Sequence, residues 1–212
     1  MRKYALIVAA GHGQRMQRNI PKQFLEIDTI PIIVLTINQF LKYDDSIKLV
    51  VVLPKDQMET WTLIKEIHFE GQPITTTTGG DTRTQSVRFG LACILDEGLV
   101  AIHDAVRPFV SLQTIEDSFN SAKEYGSGIA VVPLKDSIRK ISNKKSKAQR
   151  RNEFRLVQTP QTFRISEIKA AYKKIKIDHT DDASLYEASG YDVHLIVGSY
   201  NNIKITTPED LH

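Results

Sequence analysis

The chain has one cysteine in 212 residues, Cys93, so it can form no internal disulfide and suits a reducing compartment, the cytoplasm. Cys93 falls among apolar helix positions, where a buried, inert thiol is expected. Long hydrophobic runs are missing too. The longest, Tyr4 to Ala10, holds seven residues, and ~20 are needed to cross a bilayer as a helix, so no membrane span is expected. Arg2 and Lys3 ahead of that run imitate the start of a secretion signal, but the run is at the lower limit of length and is needed as a strand. Neither sign of charge dominates: 28 basic residues against 25 acidic give +3, too small an excess to imply nucleic acid by itself. With 41% apolar and 25% charged residues, fibrous, collagen-like and wholly disordered classes are excluded, and one ordinary domain spanning 1–212 is expected.

What charge asymmetry exists lies in one place. From Arg139 to Arg151, RKISNKKSKAQRR, seven basic side chains occur with no acidic one. A solvated loop, a contact to a small phosphate and a nucleic-acid surface all fit this stretch. It lacks aromatic residues to stack on bases, which counts against nucleic acid, and no such partner is expected.

Continuous apolar runs alternate with segments of helical period, the pattern of a parallel sheet covered on both faces. The runs are Tyr4 to Ala10, Ile47 to Leu53, Leu99 to His103, Gly128 to Pro133 and Asp192 to Val197. Helices are expected around Ile32 to Leu41, Gln57 to Ile67, Thr82 to Leu95, Leu112 to Tyr125 and Ser166 to Ile175. The expected fold is a doubly wound α/β domain. One polar insertion, Asp136 to Phe163, returns through LVQTPQTF and reads as a protruding excursion, a hairpin arm suited to packing on a second subunit or a surface loop.

In such folds ligands sit beyond the carboxyl ends of the strands. After the first run, AAGHGQRMQRNIPKQF (9–24) offers Ala9, Ala10, Gly11 and Gly13 for close backbone approach to an anion, flanked by Arg15 and Lys22. There is no GxxxxGK[ST], and the third glycine of GxGxxG is replaced by Met16, so neither a P-loop nor a dinucleotide fingerprint is present. TGGDTRTQSV (78–87) brings Gly79 and Gly80 with Asp81, Arg83 and Ser86 as polar groups, and Asp81 also reads as a helix N-cap. AIHDAVRPF (101–109) ends a strand in His103 and Asp104. The carboxylate suits a divalent ion, a ribose hydroxyl or a structural role, and His103 an orienting place in the core. No second His or Cys stands at ligand spacing, so zinc is not expected. Late in the chain, HTDDAS (179–184) reads as a capped helix start, and Lys204 between Ile203 and Ile205 would face away from both isoleucines in a strand, toward solvent or a site.

Taken together, AAGHGQRM, PKQF, GGDTRTQS, IHDAVRPF, QTPQTF, TDDAS and NIKITTPEDL resemble, in order and spacing from about Tyr4 to Leu211, the 2-C-methyl-D-erythritol 4-phosphate cytidylyltransferases. The resemblance implies a Rossmann-like, mostly parallel sheet of the nucleotidyltransferase type. It also implies transfer of CMP from CTP to methylerythritol phosphate, with Mg2+, and a homodimer formed through the 136–163 arm. By the same resemblance Arg15 and Lys22 stabilise charge on the α-phosphate, and the backbone of Ala9, Ala10, Gly11 and Gly13 wraps the triphosphate. Gly80, Asp81 and Ser86 match the cytosine-reading segment, Asp104 the position near ribose and metal, and Lys204 a further phosphate contact. Ser137, Arg151 and Thr180 match sugar-phosphate positions, Arg107 is grouped with them, and Arg151 would serve a partner subunit. Three departures stand out: Asn201 where many relatives carry aspartate, Arg150 in place of an acid, and an end at His212 where relatives continue into a closing helix. Ribitol 5-phosphate cytidylyltransferases share part of this pattern and are the alternative, followed by a non-catalytic nucleotide-binding module.

Overall fold

The computed structural model describes residues 1–11, 21–143, 145–175 and 177–211. A seven-stranded sheet organises them. Its strands are β1 (Lys3–Val8), β4 (Lys48–Leu53), β5 (Ile74–Thr78), β6 (Leu99–Asp104), β7 (Ser127–Pro133), β10 (Arg155–Arg164) and β11 (Leu195–Val197). They lie side by side in the order β11-β7-β10-β6-β1-β4-β5. All pairings are parallel except those of β10, which runs antiparallel to both β6 and β7. Two short ribbons stand outside the sheet, β2 (Glu26–Ile27) with β3 (Ile30–Pro31), and β8 (Arg139–Ser142) with β9 (Lys145–Ala148).

Among the described residues six helices cover the sheet: α1 (Ile32–Tyr43), α2 (Met58–His68), α3 (Arg83–Ala92), α4 (Leu112–Tyr125), α5 (Ile165–Lys174) and α6 (Asp182–Ala188). Strand periodicity assigns them to faces. Ala5, Ile7, Leu49, Val51 and Leu53 pack with Ile37 and Phe40 of α1, Trp61 of α2 and Phe119 of α4. Their neighbours in sequence, Tyr4, Leu6, Val50 and Val52, point the other way, onto Val87 and Leu91 of α3, Ile168 of α5 and Tyr186 of α6. A strand buried on both sides needs apolar residues at every position, which is why β1 and β4 read as unbroken runs. Each fully buried Leu or Ile is worth roughly 1.5–3 kcal/mol relative to exposure.

Two strands depart from expectation. β5, Ile-Thr-Thr-Thr-Thr, carries too few apolar residues to register as a run, yet its β-branched side chains fit an edge position, and the Trp61 indole N–H donates to Thr76 Oγ1 at 3.0 Å. β10 lies inside the sheet, so the 136–163 excursion divides: 139–142 and 145–148 pair as an exposed hairpin, whereas β10 starts exposed at 155–157 and is buried in the core from 158 to 163. The register of β10 on β7 shifts between Val157 and Gln161. Cys93 caps the end of α3 half-buried rather than fully buried, its thiol donating to the Phe89 carbonyl.

Candidate active site

The chain leaves the sheet at the carboxyl ends of its central strands. Ala9 N–H donates to the Val52 carbonyl (2.8 Å), Gly79 N–H to Leu53 (2.7 Å) and Ala105 N–H to Val8 (3.1 Å), which fixes where each loop begins. The loops surround a cavity of about 410 Å³. Its walls come from five stretches: Val8 to Gly11, Lys22 with Gln23, the Gly80–Ser86 turn, Asp104 to Val106, and Lys204 with Thr206.

Close approach of the first stretch to the 79–86 turn depends on particular residues. A Cβ added at Gly79 would lie 2.5 Å from the Ala10 Cβ and 2.8 Å from Ser86 Oγ, so only glycine lets the two loops touch. Ala10 cannot swing aside as a long side chain would. Gly79→Ala is therefore expected to cost about 1–3 kcal/mol by overpacking, read as a lower midpoint in urea denaturation. The Ser86 hydroxyl donates to the Thr82 carbonyl (2.9 Å) and accepts from Gly80 N–H (3.2 Å), and Asp81 N–H donates to Gln85 Oε1 (2.8 Å), which curls the turn over the start of α3. The N-cap is Thr82, whose hydroxyl accepts from Gln85 N–H, and not Asp81, which is left exposed at the cavity. Across the cavity, the fully buried Gln23 donates from Nε2 to the Ala9 carbonyl at 3.0 Å. That bond ties the short turn Lys22–Phe24 to the end of the first stretch.

Charge is arranged around Asp104. Its Oδ2 accepts from Arg107 Nε at 3.0 Å and meets Lys204 Nζ at 3.1 Å. Burial by itself would raise this carboxyl, but Lys204, Arg83 and Arg107 hold it well below the usual carboxylate range. Arg107 Nη1 also donates to the Asn202 carbonyl (2.8 Å), tying the loop that carries Lys204 to the end of β6. Lys204 is not in a strand: Ile205 is buried, Ile203 is part-exposed, and the ammonium turns toward Asp104. His103 is wholly buried against the Phe40 ring, its Nε2–H donating to the Arg107 carbonyl at 3.2 Å. Burial lowers its pKa to about 4, so it stays neutral and structural. Among the described residues lining the cavity, three cations, Lys22, Arg83 and Lys204, face two carboxylates, Asp81 and Asp104.

The QTPQ segment of β10 latches these parts to the sheet. Gln158 Nε2 donates to the Ser199 carbonyl (2.8 Å), Asn202 Nδ2 donates to the Thr159 carbonyl (2.8 Å), and Thr159 Oγ1 accepts from Asp104 N–H (3.1 Å). Gln161 reaches the other way, accepting from Ala183 N–H (2.8 Å) and donating to Asp181 Oδ2 (3.0 Å) at the start of α6. The two glutamines have donor and acceptor engaged and Asn202 has its Nδ2 engaged, and buried amide bonds of this kind fix geometry that apolar packing would leave free to slide.

The model of the family described as IspD, 2-C-methyl-D-erythritol 4-phosphate cytidylyltransferase, matches residues 4–212. The chain belongs to the 2-C-methyl-D-erythritol 4-phosphate cytidylyltransferase family. A curated member from Bacteroides thetaiotaomicron is 41% identical over 213 residues, covering 100% of this chain and 97% of the relative. Another, from Porphyromonas gingivalis, is 42% identical over 212 residues, covering 99% and 95%. Among solved structures, the 4-diphosphocytidyl-2C-methyl-D-erythritol synthase of Anaerococcus prevotii aligns with a TM-score of 0.86 at 28% identity over 99% of this chain and 94% of that one. The cytidylyltransferase of Thermus thermophilus aligns at 0.81 with 30% identity over 100% and 96%. The chain is thus a cytidylyltransferase, on a mostly parallel nucleotidyltransferase-like sheet.

Within this cytidylyltransferase, the expected nucleotide-side residues Ala9, Ala10, Gly11, Lys22, Gly80, Asp81, Ser86, Asp104 and Lys204 fall on the one cavity. Gly13 and Arg15 lie outside the described residues. Arg107 stands behind the cavity, engaged by Asp104 and Asn202. Ser137, Arg151 and Thr180 do not line it, and the Arg151 guanidinium donates to the Lys135 carbonyl. Sequence reasoning passed over Gln23, Gln158, Gln161 and Asn202. Their signal was faint: polar amides beside strand ends, where buried hydrogen bonds to backbone are most needed.

Proposed function

We propose that this enzyme transfers the cytidylyl group of CTP to 2-C-methyl-D-erythritol 4-phosphate, giving 4-diphosphocytidyl-2-C-methyl-D-erythritol and pyrophosphate. The observation that carries this reading is the convergence of Lys22, Arg83 and Lys204 on one cavity at the strand ends, walled by the small residues of two glycine-bearing loops. An oxygen of the acceptor phosphate attacks the α-phosphorus of CTP as the bond to the departing pyrophosphate breaks. A phosphate monoester has a second pKa near ~6 and is largely dianionic at neutral pH, so no general base is required. The obstacle is repulsion between two polyanions, and fixed cations relieve it. Lys22, with Arg15 of the same loop, takes the charge at the α-phosphate; Lys204 takes further phosphate; Gly80, Asp81 and Ser86 shape the cytosine pocket.

Magnesium suits the donor chemistry. It favours one or two carboxylates together with phosphate oxygens, and Asp104 and Asp81 are the carboxylates at the cavity. Among the described residues no group of three His, Cys, Asp or Glu forms a protein cage. Arg107 and Lys204 meet Asp104 at Oδ2, and the Asp104 carboxylate would be the protein group to hold an ion arriving with the triphosphate. When bound, magnesium neutralises triphosphate charge. Asn201 adds no carboxylate, so the site leans more heavily on Asp104 and on the nucleotide phosphates.

The family model and the curated relatives are named for methylerythritol phosphate, which supports this acceptor over ribitol 5-phosphate. Pyrophosphate release measured with CTP and each polyol phosphate tests the choice. Turnover with methylerythritol 4-phosphate is expected; turnover with ribitol 5-phosphate alone contradicts it.

A homodimer through the arm belongs to the same reading. Both strands of the β8–β9 hairpin are exposed throughout, and Ile141, Leu156 and Val157 present 69%, 52% and 46% of their surface to solvent. Exposed apolar side chains on this otherwise basic hairpin and on the adjoining start of β10 suit burial against a second copy, and Arg151, away from its own cavity, would then face the partner's sugar phosphate. Sedimentation equilibrium is expected to give a dimer for the native chain and monomers for Ile141→Asp; a monomeric native chain would count against it. No described helix is long and apolar enough to cross a membrane, and one cysteine suits the cytoplasm.

A further inference from the structure

Three consecutive residues at the start of α3 each reach the same distant segment. Thr82 Oγ1 donates to Asp178 Oδ1 at 2.9 Å, Arg83 forms a two-pronged pair with Asp182 at 3.0 and 2.6 Å, and Thr84 Oγ1 accepts from His179 N–H at 3.5 Å. Nearly a hundred residues of chain separate the partners, so local geometry does not force these contacts. The middle one is the strongest. Asp182 is completely buried, and its Oδ1 also accepts from the Tyr172 hydroxyl, so the carboxylate is fixed from two elements. Arg83 keeps part of its side chain open and lines the cavity. Burial opposes its charge, and Asp182 more than restores it. A paired guanidinium of this kind holds position firmly, because leaving either partner alone in a buried site is costly.

We infer that Asp182 and Asp178 are positioning residues that lock the wall of the nucleotide cavity to the Thr180 segment, so that the two substrate sites keep one geometry. The inference rests on the proposed function, with CTP in the cavity and the sugar phosphate beside Thr180. Asp182 acts through Arg83 on the Gly80–Ser86 turn, and Asp178 acts through the Thr82 cap of the same turn. Thr180 itself lies between the two tethers, so its hydroxyl is placed by the contacts that also place the cytosine loop.

Steady-state kinetics with both substrates varied tests this. Asp182→Asn is expected to raise KM for CTP and KM for the sugar phosphate together, each by about tenfold. Asp178→Ala, at an exposed site with little weight in folding, is expected to raise both by a smaller factor without moving the thermal midpoint. Thr180→Ala is expected to raise only the sugar-phosphate KM. If Asp182→Asn fails to fold, Asp178→Ala and Tyr172→Phe decide. Unchanged KM values in Asp178→Ala and Tyr172→Phe, or a shift confined to one substrate, overturn the inference. A native enzyme that turns over neither CTP nor methylerythritol phosphate overturns the functional reading first, and is visible before any variant is made.

Discussion

Replacing Lys22 by alanine is expected to lower kcat by about 10²–10³-fold while the protein stays folded. The backbone that presents the ammonium is held independently of it: Gln23 is bonded to the Ala9 carbonyl, and Phe24 and Leu25 are buried beside the turn. Truncation therefore removes charge from the cavity while these backbone and core contacts remain. The loss should fall more on kcat than on the KM for CTP, because negative charge at the reacting phosphate is redistributed as the pyrophosphate departs, and a fixed cation stabilises that state more than the ground state. Arg15→Met is expected to behave alike. Steady-state rates with circular dichroism as the folding control check the pair. Turnover within a few-fold of native in a folded Lys22→Ala enzyme would show that its charge is not used.

Asp104→Ala is expected to injure both stability and activity. Removing the carboxylate strands Arg107, whose side chain is 11% exposed, without its Nε partner, whereas Lys204, 40% exposed, can turn to water. Breaking a buried pair costs about 3–5 kcal/mol when one charge is left alone, and the freedom of Lys204 places this case near the lower figure. For a chain of this size about 3 kcal/mol corresponds to a fall in Tm of roughly 6–12 °C. Activity should fall further than the folded fraction, because Lys204 loses the anchor that aims it across the cavity and the bound nucleotide loses its carboxylate. Differential scanning calorimetry and turnover below the new midpoint separate the two effects. A native Tm in Asp104→Ala would mean that Arg107 finds another acceptor.

How far the molecule can be read from its residues depends on the kind of pattern each part leaves. β1 and β4 are buried on both faces, so nearly every position is apolar and the strands stand out. α4 is amphipathic with a Ser111 cap and a Gly126 stop, and its ends matched expectation to the residue. β5 left no such mark, since four threonines on an edge look like a loop until Trp61 and the neighbouring strand are in place. β10 was hidden for a different reason. Its centre, Gln158 to Thr162, is buried yet polar, because these side chains serve backbone groups of the Lys204 loop and α6 that lie nearly adjacent only in the fold. The glycines and cations of the cavity were legible because they cluster just after strand ends, although Gly79 is also required by close packing on Ala10. Arg83 was visible as a polar group, but its pairing with Asp182 was not, since periodicity says nothing about contacts across ninety-nine positions.

The direct test of transfer by charge placement alone, with no side chain bonding to phosphorus, is the stereochemistry at the α-phosphorus. With CTP carrying a chiral α-phosphorothioate and methylerythritol 4-phosphate as acceptor, a single in-line displacement predicts inversion of configuration in the diphosphocytidyl product. Retention would require two displacements and a covalent enzyme intermediate, and would contradict it.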